Sequence, residues 1–261
     1  MTAVVRHRIR AADMLAPVTA TLRSMFGPGD VPGLAPGVIV HDDTGWTPAT
    51  GLVDGSRLPD LLDAAHRRWQ GSSHAAAALA WKGYSYWLAL PAVLGWASVR
   101  RVPLVHPTQV LVRLAGGTTR LGLRPSIPIA LLPTDPLARA GPPEARVVDD
   151  EAALLAALRA SLLDAHLGPL AAAIQDRAKL GDRTLRGSVS SGIAHGLLLA
   201  AGALPGSSVQ EIGTVLTALG LRDLIELVPD RAGRPTVQRK TCCLAFTLPR
   251  PKVCAGCCIR T

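Results

Sequence analysis

Apolar positions recur at helical spacing through much of the chain. Met14, Leu15, Val18, Leu22 and Phe26 share a face and predict a first helix. The Gly/Pro run over residues 27–37 that follows reads as loop. Leu58, Leu61, Leu62, Ala65 and Trp69 mark a second helix, with Pro59 in its first turn, where a missing N–H is tolerated. Ser72 or Ser73 can cap a third, bearing His74, Trp81, Tyr84 and Trp87 toward Pro91. The period then changes. Val110, Val112 and Leu114 alternate, as do Leu121 and Leu123, around Gly116-Gly117, a hairpin whose turn needs positive φ. Residues 125–143 are Pro-rich and read as irregular. Helical spacing resumes at Leu154, Leu155, Leu158 and Leu162 after a cap at Asp149 or Asp150. That helix is expected to end at Gly168-Pro169, and Pro169 starts another through Ile174. Ser208-Val209-Gln210-Glu211 reads as a capping box ahead of Ile212, Val215, Leu216 and Leu219. The pattern predicts an α+β fold: a predominantly helical body with at least one β-hairpin, then a small C-terminal cysteine-rich segment.

With 48% hydrophobic and 18% charged residues over 261 positions, disorder is excluded and a sizeable core is expected. Aromatic residues are only 3%, so Leu, Ala and Val must fill that core. The mean hydropathy of +0.27 raises the question of a membrane. The apolar stretches at 84–99 and 193–204 fall short of the roughly 18–20 residues a span needs, and read as buried helices. Peripheral membrane contact stays open. MTAVVRHRIR has charge but no apolar stretch behind it, so no signal peptide is expected, and the odd cysteine count is not that of a secreted disulfide scaffold. A cytoplasmic location is the expectation. Phosphate-binding glycine loops, G-x-G-x-x-G, H-E-x-x-H and G-x-S-x-G do not occur, so flavin or nicotinamide binding by this chain is unsupported.

Charge and cysteine are both concentrated near one end. The net charge is +9, and Arg231, Arg234, Arg239, Lys240, Arg250, Lys252 and Arg260 follow the last acidic residue. All five cysteines lie between Cys242 and Cys258, in the pattern C-C-x10-C-x2-C plus one. The boundary is set at residues 229–235, where acidic residues cease. It divides a helical and loop region (1–70), a body (71–235) and a cysteine segment (236–261). So short a segment cannot bury enough surface to fold alone and needs a metal or a seat on the body. Cys-x2-Cys suits zinc, iron–sulfur or dithiol chemistry. Adjacent cysteines are the informative half. Neighbouring side chains of extended backbone diverge, so Cys242 and Cys243 can serve one centre only if the chain turns there. Single zinc ions prefer ligands two to four residues apart, a demand that a two-iron centre relaxes.

Arg239, Cys242-Cys243, Phe246, Leu248-Pro249 and Cys254-x2-Cys257 together resemble the signature of the ferric-siderophore reductase (FhuF-like) family. Within the body, Trp81-Lys82-x-Tyr84, His166-Leu167-Gly168-Pro169-Leu170 and Thr184-Leu185-Arg186-Gly187-Ser188 resemble segments of the same family more thinly. Arg186 and Ser188 depart from the Leu-Trp-Gly-Asn expected there, as does Cys258 from the usual proline. Residues 1–70 add nothing to the resemblance.

The resemblance implies a [2Fe-2S] cluster on Cys242, Cys243, Cys254 and Cys257. Cys258 is then a free neighbour or an exchange partner of Cys257. It also implies one-electron reduction of a cytoplasmic ferric siderophore, usually a hydroxamate, with release of Fe(II). Electrons would come from an external donor such as a ferredoxin or an NAD(P)H-linked reductase. Hard oxygen donors hold Fe(III) far better than Fe(II), so no ligand bond need break and no acid, base or nucleophile is required. The cations near the cysteines would favour the reduced, more negative cluster and attract an acidic donor or an anionic complex. A structural zinc held by four cysteines remains an alternative, as do a redox-active or metal-storage tail and an iron–sulfur or zinc regulator that binds nucleic acid or siderophore without turnover. The arginines flank cysteines instead of lining a helix, so nucleic acid is not expected as a partner. His74, His106, His166 and His195 read as structural histidines, and Trp69, Trp81, Trp87 and Trp96 as core or groove lining.

Overall fold

A computed structural model describes residues 9–259, so Arg260 and the charged start of the chain over residues 1–8 lie outside the described residues. The first helical pattern is split into α1 (Ala11–Met14) and α2 (Ala16–Phe26), with Pro17 in the opening turn of α2. The Gly/Pro run is not all loop. Its end enters strand β1 (Leu34–Ile39), which lies parallel to a later strand and carries a bulge at Gly37 and Val38, both at positive φ. Glycine admits that backbone; valine does so at a steric cost. After β2 (Thr47–Pro48) and α3 (Thr50–Val53), helix α4 spans Leu58–Trp69, the span its spacing predicts.

The central element is α5 (Ser73–Val99), capped by Ser72, whose Oγ accepts from Ala75 N–H at 3.2 Å. It runs straight through Pro91 instead of stopping there. Proline removes one ladder bond and crowds the preceding turn, but the helix is apolar nearly all round, and burial on every side outweighs that cost. Next come β3 (Arg101–Pro103) and the hairpin of β4 (Val110–Ala115) and β5 (Thr118–Leu123). Gly116 and Gly117 turn it at φ 56° and 75°. Strand order in this sheet is β1-β5-β4-β2. Residues 125–143 are also more regular than expected. They hold β6 (Ile129–Leu131) and α6 (Pro136–Ala140), and β6 lies between β3 and β7 (Ala145–Val147) in a second sheet.

Asp150 caps α7 (Glu151–Arg159), as its position suggests. The helix does not end at Gly168-Pro169. A π-helical stretch, Ala160–Leu167, carries it into α8 (Gly168–Ala178). Pro169 falls in the opening turn after the wide π segment, where its missing N–H breaks no α-type bond. A Cβ on Gly168 would lie 3.0 Å from Leu163 O. Among the described residues this continuous helix, Glu151–Ala178, is the one with the length and hydropathy of a membrane span, unlike either stretch singled out from sequence. Leu154, Leu158, Leu162, Leu167, Leu170 and Ile174 are buried in the core, while Glu151, Arg159, Asp164 and Asp176 face outward. That is the amphipathic pattern of a core helix.

Helix α9 (Asp182–Leu199) packs along α5. Helix α10 (Ser208–Ala218) lacks the expected capping box. Its N-cap is Ser207, without a side-chain bond, and Glu211 instead meets Arg100 at 2.9 Å. The last sheet is the antiparallel pair β8 (Ile225–Pro229) and β9 (Pro235–Arg239). Residues 229–235, read as a boundary, are thus the turn joining two paired strands.

Candidate metal centre

Strand β9 delivers the cysteine segment to the flank of α9. Arg239 N–H donates to Gly256 O at 2.9 Å, Gln238 Nε2 to Cys257 O at 3.1 Å, and Lys240 N–H to Leu224 O at 3.1 Å. Gly256 lies so close to the Val237 carbonyl that a Cβ has no room. These contacts fold the Cys254–Cys258 stretch back over β9, beside the adjacent cysteines. The chain turns directly after the Cys242-Cys243 pair. Leu244 adopts the left-handed conformation at φ 61°, and its N–H points to Cys242 Sγ at 3.3 Å. Thr247 N–H to Leu244 O and Lys252 N–H to Ala245 O, both 3.0 Å, close the intervening loop. Leu248 anchors it against Gly71.

Cys243 and Cys257 are buried, and Cys242, Cys254 and Cys258 half-buried; none is in a disulfide. Burial pushes the Cys254 thiol up. Lys82 and then Arg239 pull it down, against the neighbouring thiols Cys243 and Cys257. Cys258 is likewise raised, by burial first and then by Cys242 and Cys257. Cys254 therefore lies within electrostatic reach of Cys243 and Cys257, and Cys258 within reach of Cys242 and Cys257. Among the described residues, no three His, Cys, Asp or Glu side chains converge on a single ion position.

The charge balance is unusual. Arg239 is 6% exposed, donates Nη2 to Ser188 Oγ at 3.1 Å and Nε to Thr241 O at 3.3 Å, and meets no carboxylate among the described residues. A buried cation without a counter-charge is costly. Deprotonated thiols beside it would balance it. Five thiols, a backbone N–H aimed at one of them and a buried cation without a carboxylate are together a donor set and charge that suit an iron–sulfur group once the thiols give up their protons. The other cations differ: Arg234 is taken by Asp230 at 3.0 Å, and Arg231, Lys240, Arg250 and Lys252 are exposed.

Of the three body segments singled out in the sequence, those at Trp81 and at Thr184–Ser188 reach this seat, while the one at His166 packs against Tyr84 and Val105. Trp81 is buried and donates Nε1–H to Leu185 O at 2.8 Å, tying α5 to α9. Gly187 leaves room for Thr241, which would overlap any Cβ there, and Ser188 receives Arg239. Tyr84, three residues beyond Trp81, meets His166 Nε2 at 2.7 Å, while His166 Nδ1 meets Val105 O at 2.7 Å. His166 is thus a buried structural histidine, held down to about 4 chiefly by desolvation. His106 caps a short turn through Thr108, and His74 and His195 are at the surface. Trp96 joins Trp81 in the core, and Trp69 and Trp87 line a groove. Reading the sequence did not assign Lys82 and Ser188 to the thiols. Lys82's place on the face of α5 beside Trp81 was the only available signal, and Ser188 registered only as a departure from the expected segment. Comparison with family models and with curated proteins finds no match for this chain.

Proposed function

We propose that Cys242, Cys243, Cys254 and Cys257 hold a [2Fe-2S] cluster. On this reading the protein is a cytoplasmic ferric-siderophore reductase that releases Fe(II) by one-electron transfer. The observation that carries this reading is Arg239: a guanidinium buried with no carboxylate against it among the described residues, at the root of the segment that bears the five thiols. A two-iron centre takes two thiolates on each iron, so four cysteines supply its full ligand set. When bound, the group supplies single electrons at a potential set by charge, hydrogen bonds and exposure.

The residues of the chain define what surrounds it. Leu244 N–H stabilises charge on Cys242 Sγ. Arg239 and Lys82 favour the more negative, reduced state. Cys243 and Cys257, each 5% exposed, are largely shielded from water. Cys242 and Cys254 keep the centre near the surface, where a chelate and an acidic donor such as a ferredoxin can approach the exposed Lys240, Arg250 and Lys252.

Protein purified without oxygen should be coloured and, once reduced with dithionite, give the EPR signal of a one-electron-reduced two-iron centre. Adding a ferric hydroxamate with a ferrous trap should reoxidise it, with one Fe(II) per cluster. Cys243→Ser should abolish the colour and Cys258→Ser should keep it. A colourless, zinc-loaded protein, or a reduced signal that persists with the chelate, overturns the proposal.

A further inference from the structure

A cavity of about 130 Å³ lies between the end of α4, the middle of α5 and the β4–β5 hairpin. Trp69, Leu79 and Trp87 wall it, and Arg68 and Thr119 stand at its edge. Trp87 is fixed in place. It covers Gly33 so closely that no Cβ fits, sits edge-on to Tyr86 at 4.8 Å and lies 5.6 Å from the Phe26 ring. Gly117, at positive φ, brings the hairpin tip onto α4, where a Cβ would meet Arg68 Cβ at 3.5 Å. Gly83 opens the floor: a Cβ there would touch nothing within 4 Å.

Two cations stand over Trp69, one of the walls. The Arg68 guanidinium is 5.1 Å and Lys252 Nζ 4.7 Å from the Trp69 ring centre, and neither side chain is in an ion pair among the described residues. Lys252 lies two residues before Cys254. Lys82, next to Gly83, is in electrostatic reach of the same thiol.

We propose that this cavity receives one aromatic ring bearing ortho oxyanions, the catecholate or phenolate arm of a ferric chelate, and so sets the chelate against the thiol segment. The assignment rests on the reductase reading for its role but not for its chemistry. An apolar cavity of about 150 Å³ accommodates benzene, so the space fits one ring. Tryptophan walls favour an aromatic ring over the flexible chain of a hydroxamate arm, which would lose more rotational freedom on entry. Unpaired Arg and Lys over the Trp69 wall suit oxygens that are anionic and chelating.

The test uses the full protein, cluster-loaded, and a probe that cannot be reduced. Binding of 2,3-dihydroxybenzoate is followed by tryptophan fluorescence, and a gallium(III) tris-catecholate is then added as competitor. Saturable binding, weakened at least tenfold by Gly83→Leu (which fills the floor) and by the Arg68→Gln/Lys252→Gln pair, with displacement by the gallium complex, supports the assignment. Unchanged absorption and far-UV dichroism of Gly83→Leu show that the fold survives. Absence of saturable binding, equal affinity in Gly83→Leu, or failure of the gallium complex to compete overturns it. None of these readings needs electron transfer. Loss of the ring site therefore leaves the cluster spectrum standing, and loss of the cluster leaves ring binding to be measured.

Discussion

The buried His166 makes stability depend on mild acid in a calculable way. Its ring is fully enclosed, with Nδ1 against the Val105 carbonyl and Nε2 against the Tyr84 hydroxyl. A carbonyl only accepts, which assigns the proton to Nδ1 and leaves Nε2 to accept from Tyr84. A second proton would force the Tyr84 hydroxyl to turn its own hydrogen away from the ring, and desolvation holds the folded value near 4 against 6.5 when unfolded. The unfolded chain therefore takes up a proton that the folded chain refuses. The contribution is complete above about pH 6.5 and is lost as pH falls toward 4. Linkage over that window gives about 2 kcal/mol lost by pH 5 relative to pH 7.5. For a chain of this size that corresponds to roughly 5 °C in Tm. The assay is thermal unfolding of wild type and His166→Gln at fixed ionic strength across pH 5.0–7.5. The variant should start less stable at pH 7.5, because the Tyr84 hydroxyl and the Val105 carbonyl lose their partner, and its Tm should fall less steeply. Parallel pH profiles for the two proteins would refute the reasoning.

Gly187→Val should unseat Thr241, because any Cβ at 187 overlaps that side chain. Far-UV dichroism should stay near wild type while iron content after anaerobic reconstitution falls severalfold; full iron content would count against the proposed seat. Trp81→Phe leaves the buried Leu185 carbonyl without its 2.8 Å donor and should cost about 1–3 kcal/mol in denaturant unfolding. Arg239→Gln removes the buried cation and should lower the midpoint potential of the cluster in a redox titration. Arg239→Lys should recover part of that shift, since it restores the charge but not the two guanidinium bonds to Ser188 and Thr241.

Local signals were legible where one residue type settles one backbone state. The span of α4, the Ser72 and Asp150 caps and the Gly116-Gly117 turn follow from spacing and capping chemistry. What sequence hid was set by neighbours far along the chain. Strand β1 exists because β5 offers a partner to a Gly/Pro-rich stretch, and α5 crosses Pro91 because its surroundings bury it on all sides. Gly168-Pro169 reads as a stop, yet the π segment before it supplies the room that lets the helix continue. At the candidate site the cysteine spacing was plain, and so was the need for a turn if the adjacent pair is to serve one centre. Its execution by Leu244, a residue that seldom takes positive φ, was not. Nor could spacing reveal that Arg239 reaches Ser188, 51 positions earlier.

The pairing of β8 with β9 also fixes an order of events during synthesis. Helices α5 and α9 and strand β8 leave the ribosome before the thiols do, so the receiving surface is complete when they emerge. Until then the pocket over Gly187 and the open edge of β8 stand bare. A chain cut short at the β8–β9 turn would expose both, offering an assembly factor or a quality-control protease a handle that disappears once the hairpin closes.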